Sequence, residues 1–255
     1  MTAPVFLAEP GDLDALAVGD AYVLAGTEGR HAGVVQRRAP GERVDVVDGA
    51  GTRAVGEVEH VGPEGVHLRV RDLVREAVPA PRLVLCQALA KGDRDELAIE
   101  AATEVGADGV VPWQAERSIV VWRGDRAARS RARWLGTVRT AAKQSRRAHV
   151  PDVDHALDTA ALARRAAEVV AAGGAVLVLH EEATVPLAGA ALPAPGTAAD
   201  VLVVVGPEGG ISEREVDALV GAGAVPVRLG PHVLRTSTAG PVALALLAER
   251  LGRWA

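Results

Sequence analysis

Along the first third of the chain, apolar and polar residues alternate in short runs. Arg43-Val44-Asp45-Val46-Val47-Asp48 breaks at Gly49-Ala50-Gly51, Thr52 to Val61 follows, and Val66 to Val70 makes a third run. A period of two, bounded by Gly and Asp turns, predicts half-buried strands of a small antiparallel barrel or sandwich over residues 1–73. Glu28 to Arg38 departs from this, with helical spacing that ends in the basic pair Arg37-Arg38. Gly62-Pro63-Glu64-Gly65 lies between two alternating runs and predicts a hairpin turn.

The paired prolines of Glu76-Ala77-Val78-Pro79-Ala80-Pro81 continue neither element, so residues 74–81 read as a linker. Beyond it the pattern changes. Strands are expected at 82–89, 110–113, 175–179, 201–205 and 225–229, and helices at 93–105, 125–146, 156–171, 212–222 and 239–252. Asp93 with Glu96, and Ser212 with Glu215, have capping-box spacing, while Gly106 suits the position just past a helix. Strands alternating with helices predict an α/β domain over 82–255, its sheet largely parallel and covered on both faces.

Composition narrows the class. A charged fraction of 24% and a hydrophobic fraction of 49% suit a soluble globular protein. No apolar run approaches the roughly 20 residues that span a bilayer, and the start lacks a basic segment followed by an apolar one, so no signal peptide is expected. Cys86 is the only cysteine, which excludes an internal disulfide and a CxxC-type zinc site. A reducing cytoplasm, with no metal and no membrane, is the expected setting. The net charge of −5 argues against a nucleic-acid partner until its distribution is considered. Within 121–150, Arg123, Arg126, Arg129, Arg131, Arg133, Arg139, Lys143, Arg146 and Arg147 face one acid, Asp125, a formal +8. That excess suits phosphate contacts, though a charged helix face is also how a helix stays solvated. With only Phe6 and Tyr22 beside four tryptophans, a base-stacking platform is not expected.

Two glycine-bearing turns carry the candidate chemistry. Val201 to Val205 runs into Gly206-Pro207-Glu208-Gly209-Gly210, and Val225 to Leu229 runs into Gly230-Pro231-His232-Val233-Leu234-Arg235-Thr236-Ser237-Thr238. Each opens into helical spacing, and strand-to-helix turns of open α/β sheets are where ligands bind. Neither a Walker sequence nor a GxGxxG fingerprint is present, which disfavours a nucleotide triphosphate and an ordinary dinucleotide. Ser237 or Thr238 can cap the last helix, with Pro241 in its first turn. Arg235 just before it does not complement the helix dipole, which favours a ligand-facing role over a solvent one. A glycine turn that merely reverses the chain remains the plain alternative. So do a nucleotide-dependent enzyme on an unknotted sheet and a non-catalytic RNA-binding or ribosome-assembly factor.

Taken together, these blocks resemble the bacterial 16S ribosomal RNA uridine-N3 methyltransferases of the SPOUT class. The resemblance runs through His31 to Arg38, Gly41 to Gly49, Lys91-Gly92-Asp93 with Glu96-Leu97, Ala102 to Gly106 and Glu116-Arg117-Ser118. It continues through Gln144-Ser145 with Arg147, Leu179 to Ala183, Val205 to Ser212 and Leu229 to Thr236. It implies a small PUA-like N-terminal β-barrel and a C-terminal α/β domain with a deep trefoil knot. It further implies a homodimer acting on 16S rRNA or the 30S subunit, with S-adenosyl-L-methionine as cofactor. Matched to this chain, cofactor contacts would fall on Leu179, His180 and Glu181; on Val205, Gly206, Pro207, Glu208, Gly209 and Gly210; and on Leu229, Gly230, Leu234, Arg235 and Thr236. Arg235 is the expected catalytic residue. RNA contacts would fall on Arg30, His31, Arg37, Arg38, Lys91, Arg117, Lys143, Gln144, Arg146 and Arg147, although His31 also reads as a packing histidine. Two positions depart from the family pattern: Ser237 stands where Glu is usual, and the helix before Gln144, often acidic, here carries Lys143. A sister enzyme acting on another RNA site stays open.

Overall fold

The computed structural model describes residues 3–254. They form two compact units, one of residues up to 78 together with 142–150, the other of 79–141 together with the chain from 151 onward. Among them no helix is long and apolar enough to cross a membrane.

The first unit is a five-stranded sheet of β1 (Val5–Leu7), β2 (Ala21–Leu24), β3 (Arg43–Val47), β4 (Thr52–Gly62) and β5 (Gly65–Arg75), in the order β1-β3-β4-β5-β2. Alternate residues of β4 and β5 turn inward, so Val58, Val66 and Leu68 pack with Phe6, Leu24 and Val46 in one core. Helix α1 (Gly26–Arg30) continues as a π-helical turn over His31–Val35. The expectation of a purely antiparallel sheet is corrected: β1 pairs parallel with β3, through Val5↔Asp45 and Leu7↔Val47. Three-residue β1 is too short to show a period, so its direction is set only by the partner it meets. Strand β5 also outruns the predicted 66–70. A register shift at Val55/Gly56 inserts an extra residue opposite β4 and breaks the alternation after Val70. Residues 142–150 join this unit, with Ala148 buried beside Val5 and Val47.

The second unit is a parallel sheet. Its strands are β6 (Arg82–Ala88), β7 (Gly109–Gln114), β8 (Asp152–Val153), β9 (Leu157–Asp158), β10 (Ala175–Leu179), β11 (Asp200–Val205) and β12 (Val225–Val227). The order is β12-β10-β11-β6-β7-β8, with β9 also pairing β7. Helices α2 (Arg94–Glu104) and α6 (Thr236–Arg250) pack together and against β6, while α4 (Thr159–Ala171) and α5 (Glu213–Gly221) pack together and against β10 and β12. Helix α3 (Asp125–Gln144) follows β7. Strands covered on both faces explain the unbroken aliphatic run Val201 to Val205, all of it buried.

Three predicted helix starts are corrected. Asp93 adopts a left-handed backbone (φ 58°) and its side chain caps nothing, because Gly92 before it is left-handed too; Glu96 pairs instead with Arg133. Helix α4 begins after Asp158, which caps it by accepting from the Ala161 N–H at 2.7 Å. Helix α6 begins at Thr236, so Pro241 lies inside it and neither Ser237 nor Thr238 caps. The Ser212–Glu215 capping box is present, and Gly106 takes φ 106° just past α2.

The hairpin at Gly62-Pro63-Glu64-Gly65 forms, with Gly62 paired to Gly65. Gly65 has φ 145°, and a Cβ there would strike the Leu24 carbonyl; one at Gly62 would meet nothing closer than the His67 ring at 3.5 Å. Gly65→Ala is expected to lose about 1–3 kcal/mol of stability and Gly62→Ala far less, as read from urea midpoints. Equal midpoints for the two would remove this account of the turn.

Candidate functional site

Strands β12, β10 and β11 are neighbours, parallel, and end at one level. Leu179 stands opposite Val227, and Val178 opposite Val204. The segments after them therefore leave the sheet from one edge, the edge where open parallel sheets hold ligands. Three separate stretches of sequence (179–181, 205–210 and 229–236) begin at that edge.

Each segment is fixed locally. After β10, the His180 N–H donates to the Val227 carbonyl at 3.0 Å, and the His180 Nδ1 accepts from the Glu182 N–H at 3.3 Å; Glu181 is exposed. After β11, Gly206 lies so near Ile211 that an added Cβ would be 2.6 Å from its Cγ1, and Gly210 closes the turn at φ 75°. After β12, Leu229 and Gly230 are half-buried, whereas Val233 is 74% and Leu234 36% exposed. Among the described residues the N–H groups of His232, Val233 and Leu234 donate to no backbone carbonyl. Free backbone donors beside exposed apolar side chains, next to a glycine turn, suit a ligand with a heteroaromatic edge and a flat face. Arg235 is exposed, ends the loop, and has no ion-pair partner among the described residues. Thr236 is buried beneath it.

The Glu208 carboxylate does not face this space. It accepts from the Lys91 N–H at 3.3 Å and from Arg94 at 2.6 Å, tying the glycine turn to the bend before α2. Partial burial raises its pKa, but these hydrogen bonds and the Arg94 charge outweigh that and hold it below the usual glutamate value. Arg117 lies across the same turn, donating to the Gly209 carbonyl at 3.0 Å.

Sequence reading missed two buried polar residues that hold the site. Gln87, at the end of β6, is fully buried; its Nε2 donates to the Thr236 Oγ1 at 2.9 Å, and Thr236 donates to the Gly206 carbonyl at 2.8 Å. A lone amide interrupting the apolar run of 83–90 was the available signal. Glu215, recognised only as a cap, is 1% exposed. Its carboxylate accepts from the Glu116 N–H (2.8 Å), the Thr159 hydroxyl (2.7 Å) and the Ser212 N–H (3.1 Å). It thereby fastens Glu116-Arg117-Ser118 and the start of α5 beside the glycine turn.

The basic stretch 121–150 is shared between the two units. Lys143, Gln144, Arg146 and Arg147 belong to the first unit with Arg30, His31, Arg37 and Arg38, while Arg123 to Arg139 belong to the second with Lys91 and Arg117. Several charges are already matched: Arg131 donates to the carbonyls of Val153 and Asp154, Arg133 meets Glu96, and Lys143 meets both oxygens of Glu28 at 2.7 Å. Lys143 also sits 5.6 Å from the Phe6 ring centroid. His31 packs edge-on against Phe6 at 5.7 Å, as a packing histidine does. Arg38 donates to Gln36, and Arg147 is half-buried and engaged. Arg30, Arg37, Gln144 and Arg146 are exposed, and Arg37 and Arg146 hold left-handed backbones at φ 54° and 59°. Lys91 and Arg117 are exposed at the glycine turn. An open groove of about 610 Å3 between α2 and α3, lined by Asp93, Glu96, Glu100 and Arg133, includes none of the three segments. Among the described residues no group of three His, Cys, Asp or Glu is placed to hold a metal ion.

Comparison with known proteins shows the family. Residues 78–248 match the model of an RNA methyltransferase domain. The chain is 50% identical over 238 residues to the ribosomal RNA small subunit methyltransferase E of Mycobacterium bovis, covering 92% of this chain and 89% of that one. It is 30% identical to the protein of the same name from Bacillus subtilis, covering 89% of each. Among solved structures, the ribosomal RNA small subunit methyltransferase E of Neisseria gonorrhoeae bound to S-adenosyl methionine matches with a TM-score of 0.83, at 26% identity and 98% coverage of each chain.

Because hydrogen bonds outweigh the burial that raises it, the pKa of Glu215 lies below its ordinary value of about 4.3. A carboxylate with a depressed folded pKa stabilises the fold above the unfolded value and loses that contribution as pH falls through the folded one. Glu215→Ala should therefore lose about 3 kcal/mol at pH 7, a difference that narrows below about pH 4. Urea titrations of both proteins at the two pH values measure this, and a constant difference would contradict it.

Proposed function

Because this chain belongs to the RNA methyltransferase family, we propose that it methylates N3 of one uridine in 16S ribosomal RNA, using S-adenosylmethionine. The observation that carries this is the convergence of three loops at the ends of β10, β11 and β12. Free N–H groups at 232–234 and the exposed Val233 and Leu234 fit the adenosyl group. The flat adenine would lie on the apolar side chains while its edge meets backbone atoms.

When bound, the cofactor supplies a methyl group already activated on a sulfonium. The chain's own task is to bring the uracil imide nitrogen into line with it, which is worth about 7–11 kcal/mol of barrier when done fully. As N3 loses its proton, negative charge grows on the adjacent carbonyl oxygens. Arg235, exposed and unpaired at the start of α6, is positioned to stabilise that charge. Ser237 cannot take the proton unaided as a carboxylate would, so the chemistry relies on positioning or on a base elsewhere. Arg30, Arg37, Arg146, Lys91 and Arg117, all exposed, would meet phosphates and offset the unstacking of the target base.

In this reading the N-terminal sheet is a PUA-like RNA-binding barrel of residues 1–73, and 82–255 a SPOUT domain whose last segment threads a deep trefoil knot. The enzyme works as a homodimer in the cytoplasm on the small ribosomal subunit. The exposed Leu97 on α2 and the exposed Val242 and Leu246 on the adjoining α6 support a self-association face.

Incubation with labelled adenosylmethionine and small-subunit RNA should move label to one uridine, located by mass mapping; a pure RNA binder transfers none. Arg235→Ala should slow single-turnover methylation by about 100- to 1,000-fold while cofactor affinity stays near that of the wild type. Unchanged single-turnover rates would remove Arg235 from the chemistry. RNA affinity should fall steeply between 50 and 200 mM salt, whereas a flat profile would contradict the phosphate contacts.

A further inference from the structure

We propose that Gln87 is a positioning residue of the cofactor site, acting through Thr236 to hold the glycine turn against the start of α6; the proposal rests on the cofactor reading above. Gln87 stands opposite Val205 in the β6–β11 register, one residue before Gly206, and is fully buried. Its amide nitrogen gives one N–H to the Thr236 Oγ1 (2.9 Å) and the other to the Ala88 carbonyl (3.3 Å). The threonine has a single proton, which goes to the Gly206 carbonyl at 2.8 Å. The chain of bonds has one direction. A donor at Gln87 leaves the hydroxyl proton free for Gly206, whereas an acceptor there would draw that proton away.

The opposite amide orientation is excluded on the same ground. It would aim Oε1 at the Ala88 carbonyl and force Thr236 to release Gly206. The orientation that remains has a consequence: the Gln87 Oε1 is buried with no hydrogen-bond partner. An orphan buried acceptor destabilises a fold. For folding alone an apolar side chain of similar volume would serve better. The amide is thus poorly explained by packing and well explained by the two loops it joins, the glycine turn at 205–210 and the segment entering α6. Both belong to the three that converge at the sheet edge.

Calorimetric titration with adenosylmethionine, beside steady-state kinetics and thermal melts, tests this. Gln87→Leu should melt at or above the wild-type temperature yet bind adenosylmethionine about tenfold more weakly, the equivalent of one hydrogen bond. Its KM for the cofactor should rise, with kcat at saturation close to that of the wild type. Thr236→Val, which keeps shape and loses the hydroxyl, should weaken binding to a similar degree, and the double variant should be little worse than either. Gln87→Glu should bind well where the buried carboxyl is protonated and donates to Thr236, and lose affinity as rising pH ionises it. A residue that merely fills space would change the melting temperature and give no such dependence on pH. Normal affinity in a folded Gln87→Leu, or in Thr236→Val should the first not fold, overturns the relay. Absence of adenosylmethionine binding by the wild type would instead overturn the cofactor reading itself.

Discussion

Parallel pairing in one register is the constraint on which the rest of the second unit depends. A parallel ladder sends every strand's carboxyl end to the same edge, and β10, β11 and β12 end within a residue of each other along it. Three stretches well separated in the chain are thereby delivered to one edge of the sheet. The strands contribute no chemistry. Being aliphatic and buried on both faces, they form a rigid support, and the loops they release can be irregular because the ladder already fixes where each begins.

Irregular loops need polar anchors, and these are buried directly behind them. Glu215 gathers donors from three segments, and Gln87 passes one hydrogen bond through Thr236 to Gly206. In a low-dielectric interior a satisfied carboxylate such as Glu215 rigidifies what surrounds it, while one lost partner is expensive. Glu208 and Arg94 do the same work closer to solvent. Around the candidate ligand space the side chains are therefore largely occupied with one another. What remains for a ligand is mostly backbone, a few apolar surfaces and Arg235.

Charge is distributed by the same logic of prior commitment. Read along the chain, residues 121–150 carry a formal +8, yet Arg131, Arg133 and Lys143 meet carbonyls or carboxylates inside their own units. The cations left exposed are fewer and are divided between the units. Arg37 and Arg146, both in the first, hold the left-handed backbone that non-glycine residues seldom adopt. Lys91 and Arg117 flank the glycine turn in the second.

The sequence by itself determined the class of each unit, the buried aliphatic strands, the capping box at Ser212 and the hairpin at Gly62 to Gly65, because these follow from periodicities and turn chemistry within a dozen residues. It also located the glycine turns and Arg235, since both stand out against their neighbours. Only the tertiary structure decided the direction of β1, the left-handed turn at Asp93, the start of α6 at Thr236 and the assignment of residues 142–150 to the first unit. Three of these turn on a partner distant in the chain: β3 for β1, Gly206 and Gln87 for Thr236, Val5 and Val47 for Ala148. Lys143 shows the reason most plainly. Its neighbours in sequence make it one of nine cations, but Glu28, 115 residues away, neutralises it. Local pattern fixes what a segment can become, and long-range contact fixes which of its polar groups remain free to act.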